Sequence, residues 1–456
     1  MNETDTIVAI ATPQGQGALG VVRLSGLRAF EIADEVFSGA GKPSGFKSHT
    51  VHYGRIVSGD DFVDNVLLIK MDKPRTYTGE NTVEITCHGG RLVLHKTLTT
   101  LVSAGARPAE PGEFTMRAFM NEKMDLAQAE AVQQFISAES ELAFRSASRQ
   151  LEGRLSAVIE GFRKRLIEVL AETEASIDFP EEDIDTAGRE EMAKSLIELE
   201  NEINDLRKTY ADGRRIREGV RMTIAGKPNV GKSSLLNALL EKDRAIITHL
   251  PGTTRDLLHE SLIWQGMALQ ITDTAGIRAS KNIIEKEGVK RSVDAIQQSD
   301  LVLFVIDASK PHTADDEYVA SSVADKNHIV VLNKCDLPLV IKKDPFGNRG
   351  GVPYILVSAL KNTGIKDLKD LIIGQVWDNG LPSTDSAIIT NTRHKSALDN
   401  SANALARARE GFSSKLPPEL VAVHLREVLE SLGMIIGRTT TEEILDRIFS
   451  KFCIGK

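Results

Sequence analysis

The stretch Gly226-Lys-Pro-Asn-Val-Gly-Lys-Ser-Ser234 constrains this chain more than any other. It fits Gly-x-x-x-x-Gly-Lys-[Ser/Thr], with Gly226, Gly231, Lys232 and Ser233 at the fixed places. Val220-Arg-Met-Thr-Ile-Ala225 before it reads as a buried strand, and Ser234-Leu-Leu-Asn-Ala-Leu-Leu240 after it as a helix. In that setting the backbone from Asn229 and Val230 to Ser234 turns its N–H groups toward phosphate oxygens, helped by the helix N-terminus. Lys232 then reaches the β- and γ-phosphates, and Ser233 offers its hydroxyl to Mg²⁺. A glycine-rich turn matching by accident would lack the flanking strand and helix.

A length of 456 residues suggests about three domains. No apolar run approaches the ~18 residues of a membrane span, and the acidic start Met1-Asn-Glu-Thr-Asp-Thr6 lacks the basic opening of a signal peptide. Cys87, Cys335 and Cys453 are too scattered for a disulfide framework or a zinc site. A cytoplasmic, reducing setting is therefore expected. The net charge of −8 means that any nucleic acid must be held by a local patch.

Residues 1–120 read as a small α/β unit with strands at Thr6–Ala11, Val21–Leu24, Val66–Ile69 and Val83–Thr86. Gly15-Gln-Gly-Ala-Leu-Gly20 mimics a dinucleotide fingerprint, but Val21 and Val22 follow at once, so a turn between strands is expected rather than a helix. Residues 121–217 and 379–456 carry helical stripes, Leu155 to Leu170, Met192 to Leu206 and Val421 to Leu432. Residues 218–378 alternate strand and helix, including buried strands at Leu301–Ile306 and His328–Leu332. The economical fold is multidomain: an N-terminal α/β domain, then a discontinuous all-α helical domain interrupted by an inserted, Ras-like P-loop domain. The basic run Arg214-Arg-Ile-Arg217 is either a linker surface or an RNA contact.

Asn333-Lys-Cys-Asp336 follows a strand and selects the base. The Asp336 carboxylate accepts guanine N1–H and N2–H, whereas adenine presents an acceptor at N1; an ATPase reading founders there. Lys334 lies over the base, Asn333 braces the loop, and Val357-Ser358-Ala359 offers a backbone N–H to guanine O6. Asp273-Thr-Ala-Gly276 places Asp273 on Mg²⁺ through water and Gly276 on the γ-phosphate. Gly252-Thr-Thr-Arg-Asp256 fits a switch loop with Thr254 on Mg²⁺. Together these motifs specify a GTPase domain that binds GTP and GDP.

One position departs from the Ras pattern. The water-orienting Gln is replaced by Ile277, which cannot orient water. Glu285, Arg278 and Arg255 are the nearby candidates, either arginine being a catalytic cation or a surface ion pair. A bound monovalent cation held by Asn229 is the other route.

Over its whole length the chain resembles the MnmE (TrmE) tRNA-modification GTPases. The likeness rests on Asp5-Thr-Ile-Val8, Val22-Arg-Leu-Ser-Gly26, His88-Gly-Gly90, Arg107-Pro-Ala-Glu-Pro-Gly-Glu-Phe114, Asp125-Leu-Ala-Gln-Ala-Glu130 and the terminal Cys453-Ile-Gly-Lys456. The resemblance implies an N-terminal domain that binds tetrahydrofolate, in its formyl or methylene form, and makes a homodimer. It implies Arg23, Glu84, Lys123 and Lys456 as folate contacts, although Lys123 and Lys456 taken alone read as solvated charges. It implies K⁺ held by Asn229 and the Thr248, Leu250 and Thr253 stretch, and water orientation by Glu285, with Glu287 close by. The flavoprotein MnmG is the implied partner and the wobble uridine of certain tRNAs the implied substrate. Cys453 is either a nucleophile toward that uridine or a small packed residue. A different class, an RNA-binding GTPase switch in ribosome assembly, shares the nucleotide motifs; the long N-terminal unit and Cys453–Lys456 argue against it.

Overall fold

The computed structural model describes residues 5–13, 15–178, 186–240, 260–273, 293–343, 351–377, 380, 382, 386–414 and 416–456, with backbone alone at 186–190, 260, 261 and 273. The chain forms two compact units, one of residues 1–133, 150–200 and 397–456, the other of residues 134–149 and 201–396.

The first unit is built on a sheet of strands β1 (Ile7–Ile10), β2 (Leu19–Ser25), β3 (Phe37–Gly39), β4 (Thr50–Ser58), β5 (Asp61–Met71), β6 (Thr82–His88) and β7 (Arg107–Pro108). Their order is β3-β4-β5-β6-β2-β1-β7, antiparallel except for β1 against β7. The glycine-rich Gly15–Gly20 stretch connects antiparallel β1 and β2, so it is a turn, as its following valines require. Alternation gives the sheet two faces. Val22, Leu24, Val66, Leu68, Val83 and Ile85 join one buried core with residues of helices Ala29–Val36 and Arg91–Ser103. The intervening Arg23 and Glu84 therefore point to the other face.

Strands β3, β4 and β7 were not evident from the sequence. β4 hides because Gly54 stands in mid-strand, where the Phe37 ring packs so closely that a Cβ would lie 2.3 Å from its edge. The helical part pairs Arg154–Asp178 with Pro418–Ile436. Leu155, Ile159, Phe162, Leu166 and Val169 are buried on the first helix; Val421, Leu425, Val428, Leu432 and Ile435 are buried on the second. Each such side chain contributes roughly 1.5–3 kcal/mol of burial. The second helix starts with Pro418 in its first turn and stops at Gly437, whose φ of 85° favours glycine.

A partly buried ionic network, with Arg117 and Glu113 at its buried centre, pins β1 to the helix Glu113–Met120. Arg107 donates to Glu113 Oε1 at 2.6 Å and to Asp5 Oδ2 at 2.8 Å, and Arg117 reaches Asp5, Glu80 and Glu113. Burial by itself raises the Asp5 and Glu113 carboxyls, but the arginine hydrogen bonds outweigh it and hold both below their ordinary 3.8 and 4.5.

The second unit carries β8 (Val220–Ala225), β9 (Glu260–Trp264), β10 (Met267–Asp273), β11 (Leu301–Asp307), β12 (His328–Asn333) and β13 (Tyr354–Leu356). Their order is β13-β12-β11-β8-β10-β9, parallel except for β9. β11 is buried along its whole length, as a central parallel strand must be. Residues of helix Glu141–Leu151 join this unit: Leu142 N–H donates to Gly266 O, and Ala143 lies in the sheet's core.

Depressed carboxyls confer stability above their unfolded values and lose it as pH falls through the folded ones. Thermal melts should therefore show the first unit losing stability below about pH 4.5, with Glu113→Gln flattening that slope. Parallel pH profiles for wild type and variant would count against the network.

Candidate functional site

The nucleotide loop leaves β8 at Gly226, where a Cβ would stand 2.5 Å from Val305 O. Asn229 has φ 65°, a left-handed conformation that asparagine tolerates better than most residues. Gly231 has φ 96°, and a Cβ there would lie 2.3 Å from Asn333 Nδ2. Val230 is buried, and Lys232, Ser233 and Ser234 form the first turn of helix Lys232–Leu240. Lys232 Nζ donates to Gly226 O at 2.7 Å and Lys227 O at 2.8 Å, so its ammonium sits inside the loop's curve.

The base-selecting residues converge on the same loop. Asn333 Nδ2 donates to Val230 O at 2.9 Å, and Asn333 Oδ1 accepts from Ala359 N–H at 3.1 Å. Ala359 N–H, expected to serve guanine O6, is thus engaged by Asn333. Lys334 Nζ donates to Asn229 O at 2.9 Å and to Asp307 Oδ2 at 2.7 Å. Asp336 is exposed, with Oδ1 accepting from the buried Ser358 hydroxyl at 2.6 Å.

Two carboxylates escaped the sequence reading. Asp307 ends β11; burial raises its carboxyl, but Lys334 and Ser309 outweigh that and hold it below the usual carboxylate range. Asp316 is fully buried in the capping box of helix Ala314–Val323 and accepts from Lys227 Nζ at 2.6 Å. Both are long-range partners of loop lysines, which no spacing rule reveals.

Thr248, Leu250, Thr253, Thr254, Arg255, Gly276, Arg278 and Glu285 lie outside the described residues. Asp273 ends β10 opposite Ile224 of β8, which brings its backbone beside the loop. The Arg214–Arg217 cluster is charge-compensated: Arg214 pairs with Asp300, Arg215 with Asp212, and Arg217 with Glu218. The linker-surface reading fits that arrangement better than an RNA contact.

A second constellation lies in the first unit. Arg23 Nε donates to Glu84 Oε1 at 2.7 Å, and its guanidinium carbon is 5.7 Å from the centroids of both the Tyr77 and Phe114 rings. The Cys453–Lys456 turn tucks against β1, where a Cβ on Gly455 would stand 2.4 Å from Ile10 O. Lys456 feels both Arg23 and Glu84. Its ammonium is held below the usual lysine range by burial and by Arg23, against the pull of Glu84. Lys123 stands off to one side, donating to Pro74 O at 3.0 Å. Cys453 is exposed, whereas burial pushes Cys87 up to about 11.

Comparison with known proteins decides the family. The profile of the "MnmE helical domain" matches residues 126–453, and that of the "GTP-binding protein TrmE N-terminus" matches residues 6–123. The chain is 43% identical to the tRNA modification GTPase MnmE of Protochlamydia amoebophila, covering 99% of this chain and 98% of that one. It is 40% identical to the protein of that name from Acetivibrio thermocellus, over all of both chains.

The chain belongs to the MnmE family of tRNA modification GTPases. It is accordingly a GTP hydrolase, and the N-terminal α/β domain, discontinuous helical domain and inserted Ras-like domain are those of the family. Among the described residues no helix is long and apolar enough to cross a membrane.

Removing Lys227 strands a fully buried carboxylate. Lys227→Met should destabilise the second unit by about 3–5 kcal/mol in chemical denaturation, with Lys227→Arg recovering most of the loss. Equal stability of all three proteins would show that the pair holds nothing.

Proposed function

We propose that the protein is a potassium-stimulated GTPase that works as a homodimer. With the flavoprotein MnmG, it builds an aminomethyl or carboxymethylaminomethyl group at C5 of the wobble uridine of certain tRNAs. The observation that carries this reading is the meeting of Lys456, from the terminal Cys453–Lys456 motif, with Arg23 and Glu84. A GTPase acting only as an RNA-binding switch has no use for such a pocket.

The pocket's donors and acceptors suit a folate. Glu84 accepts from the amino edge of a pterin, Tyr77 and Phe114 supply aromatic surface, and Arg23 and Lys456, at the same end as Glu84, offer donors to the pterin's 4-oxo group. Tetrahydrofolate would supply the one-carbon unit. The chain's residues bind and orient it, and exposed Cys453 lies at the same turn, available to a uridine ring.

In the second unit Lys232 exchanges the carbonyls of Gly226 and Lys227 for β- and γ-phosphate oxygens of GTP. Asp336 fixes guanine, and Ser233, Thr254 and Asp273 are the residues this reading assigns to Mg²⁺. With Ile277 where Ras has glutamine, the remaining work falls to Glu285 as water orienter and to a cation near Asn229. Among the described residues the Asn229 side-chain amide makes no hydrogen bond, which leaves its oxygen available as a K⁺ ligand. Such a charge does what an arginine finger does elsewhere, worth on the order of 10³–10⁵ in rate.

The homodimer is supported by the open face of the first sheet. Val51, Tyr53 and Leu67 are 58%, 68% and 44% exposed. The cross-strand row Val51–Ile69–Glu84–Arg23 runs from this apolar patch straight to the folate pocket.

Two measurements test these readings. GTP hydrolysis should be much faster in KCl than in NaCl, and the difference should vanish in Asn229→Gly, which keeps the positive φ while deleting the amide. Equal wild-type rates in the two salts would move the burden to Arg255 or Arg278. Separately, Tyr53→Glu with Leu67→Glu should convert the dimer to monomer in light scattering; an unchanged mass would place the interface elsewhere.

A further inference from the structure

The loop that carries Tyr77 leaves the Arg23 pocket and collects cations as it goes. Residues Lys73, Pro74 and Arg75 are exposed. Asn121 Nδ2 donates to Thr78 O at 2.7 Å, and the Lys123 stem lies against Gly79, 3.4 Å from the place of its missing Cβ. On the other side, His49 Nε2 is 2.9 Å from Arg75 O, and Ser48 Oγ accepts from Asp72 N–H at 2.9 Å. These contacts bring Lys47, Lys73, Arg75 and Lys123 along one loop edge.

None of those four cations is in an ion pair among the described residues, whereas the local carboxylates are mostly committed. Asp72 pairs with Lys70 at 3.0 Å and Glu80 with Arg117 at 3.2 Å, whereas Asp34, held by the Ser44 N–H and hydroxyl, keeps its charge. Exposed Glu122 is the one acidic neighbour in the sequence next to Lys123. The result is a strip of uncompensated positive charge in a chain of net charge −8. It begins where Lys123 flanks the pocket and runs outward for the length of the Lys73–Tyr77 segment, at most about 16 Å.

A strip continuous with a pocket fits a ligand that is aromatic at one end and repeatedly anionic at the other. We propose that Lys47, Lys73, Arg75 and Lys123 form a binding track for a folate's oligo-γ-glutamyl tail, one carboxylate per added residue. This rests on the folate reading of the Arg23–Glu84–Lys456 pocket. It adds that the preferred form of the ligand carries several glutamates rather than one. The track supplies affinity and leaves the ring's chemistry unchanged, because the cations touch only the tail. RNA phosphate is the competing polyanion. The continuity with the pocket through Tyr77, whose ring lies under Arg23, favours the tail.

The test is calorimetric binding of 5-formyl-tetrahydrofolate with one and with five glutamates to the full chain and to the triple variant Lys47→Ala, Lys73→Ala, Arg75→Ala. The wild type should bind the longer tail about tenfold more tightly, the sum of a few exposed charge pairs. The preference should fall markedly at about 0.5 M salt, where the Debye length is about 4 Å, close to a contact distance. In the variant both ligands should bind as the short one does to the wild type, which also shows that the pocket is intact. Equal wild-type affinity for the two tail lengths, or a preference that survives the triple substitution, overturns the track while leaving the pocket standing. Failure of both ligands to bind overturns the pocket and the track with it. A variant that keeps the tail preference but loses tRNA in a filter-binding assay reassigns the strip to RNA.

Discussion

The nucleotide site depends on one side chain, the amide of Asn333. Its Nδ2 holds Val230 O of the phosphate loop and its Oδ1 holds Ala359 N–H of the base-side turn, so a single planar group sets the spacing of two loops. Gly231 is required by the same contact, since a Cβ would collide with that nitrogen. Lys334, one residue on, repeats the bridge by holding Asn229 O while its ammonium is anchored on Asp307 at the end of β11. Phosphate loop and base motif are thus one hydrogen-bonded object. Burial raises the carboxyl behind them, but three donors from Lys334 and Ser309 outweigh that cost and hold it below the usual carboxylate range.

The first unit solves its positioning problem with charge rather than amides. Arg107 and Arg117 draw Asp5, Glu80 and Glu113 into one cluster that fixes the start of β1 against helix Glu113–Met120. Ser25 Oγ donates to Glu80 Oε2 at 2.6 Å, which ties the end of β2 to the same cluster. Arg23 and Ser25 share a face of β2, so the network that holds Ser25 also steadies the strand presenting Arg23. The price is acid sensitivity, because the depressed carboxyls of Asp5 and Glu113 must stay ionised.

Much of this was legible in the sequence because its signals are local. The phosphate loop, the buried parallel strands, the paired helical stripes and the Gly15–Gly20 turn each depend on residues within one element. What stayed hidden depends on partners far along the chain. Lys227 and Asp316 are 89 residues apart, and Asp307 acquires its role only because β11 ends beside β12. β4 was obscured by Gly54, a weak strand former that is placed there to admit a ring from the neighbouring strand. The lesson from Arg214–Arg217 is similar: a basic run in the sequence says nothing about the carboxylates that the fold sets beside it.

Charge balance in the second pocket follows from the same reasoning. Arg23 pairs with Glu84 and Lys456 feels both charges, so among the described residues the two cations face one side-chain carboxylate. Burial and Arg23 together make the Lys456 ammonium easier to deprotonate than a solvated lysine. On the proposed folate reading, a pterin that brings its 4-oxo group to this point would give Lys456 an acceptor and strengthen its hold on its proton. Two cations beside one acid would thus suit a ring that carries donors and an acceptor along one edge, which is what the proposed folate reading asks of this pocket.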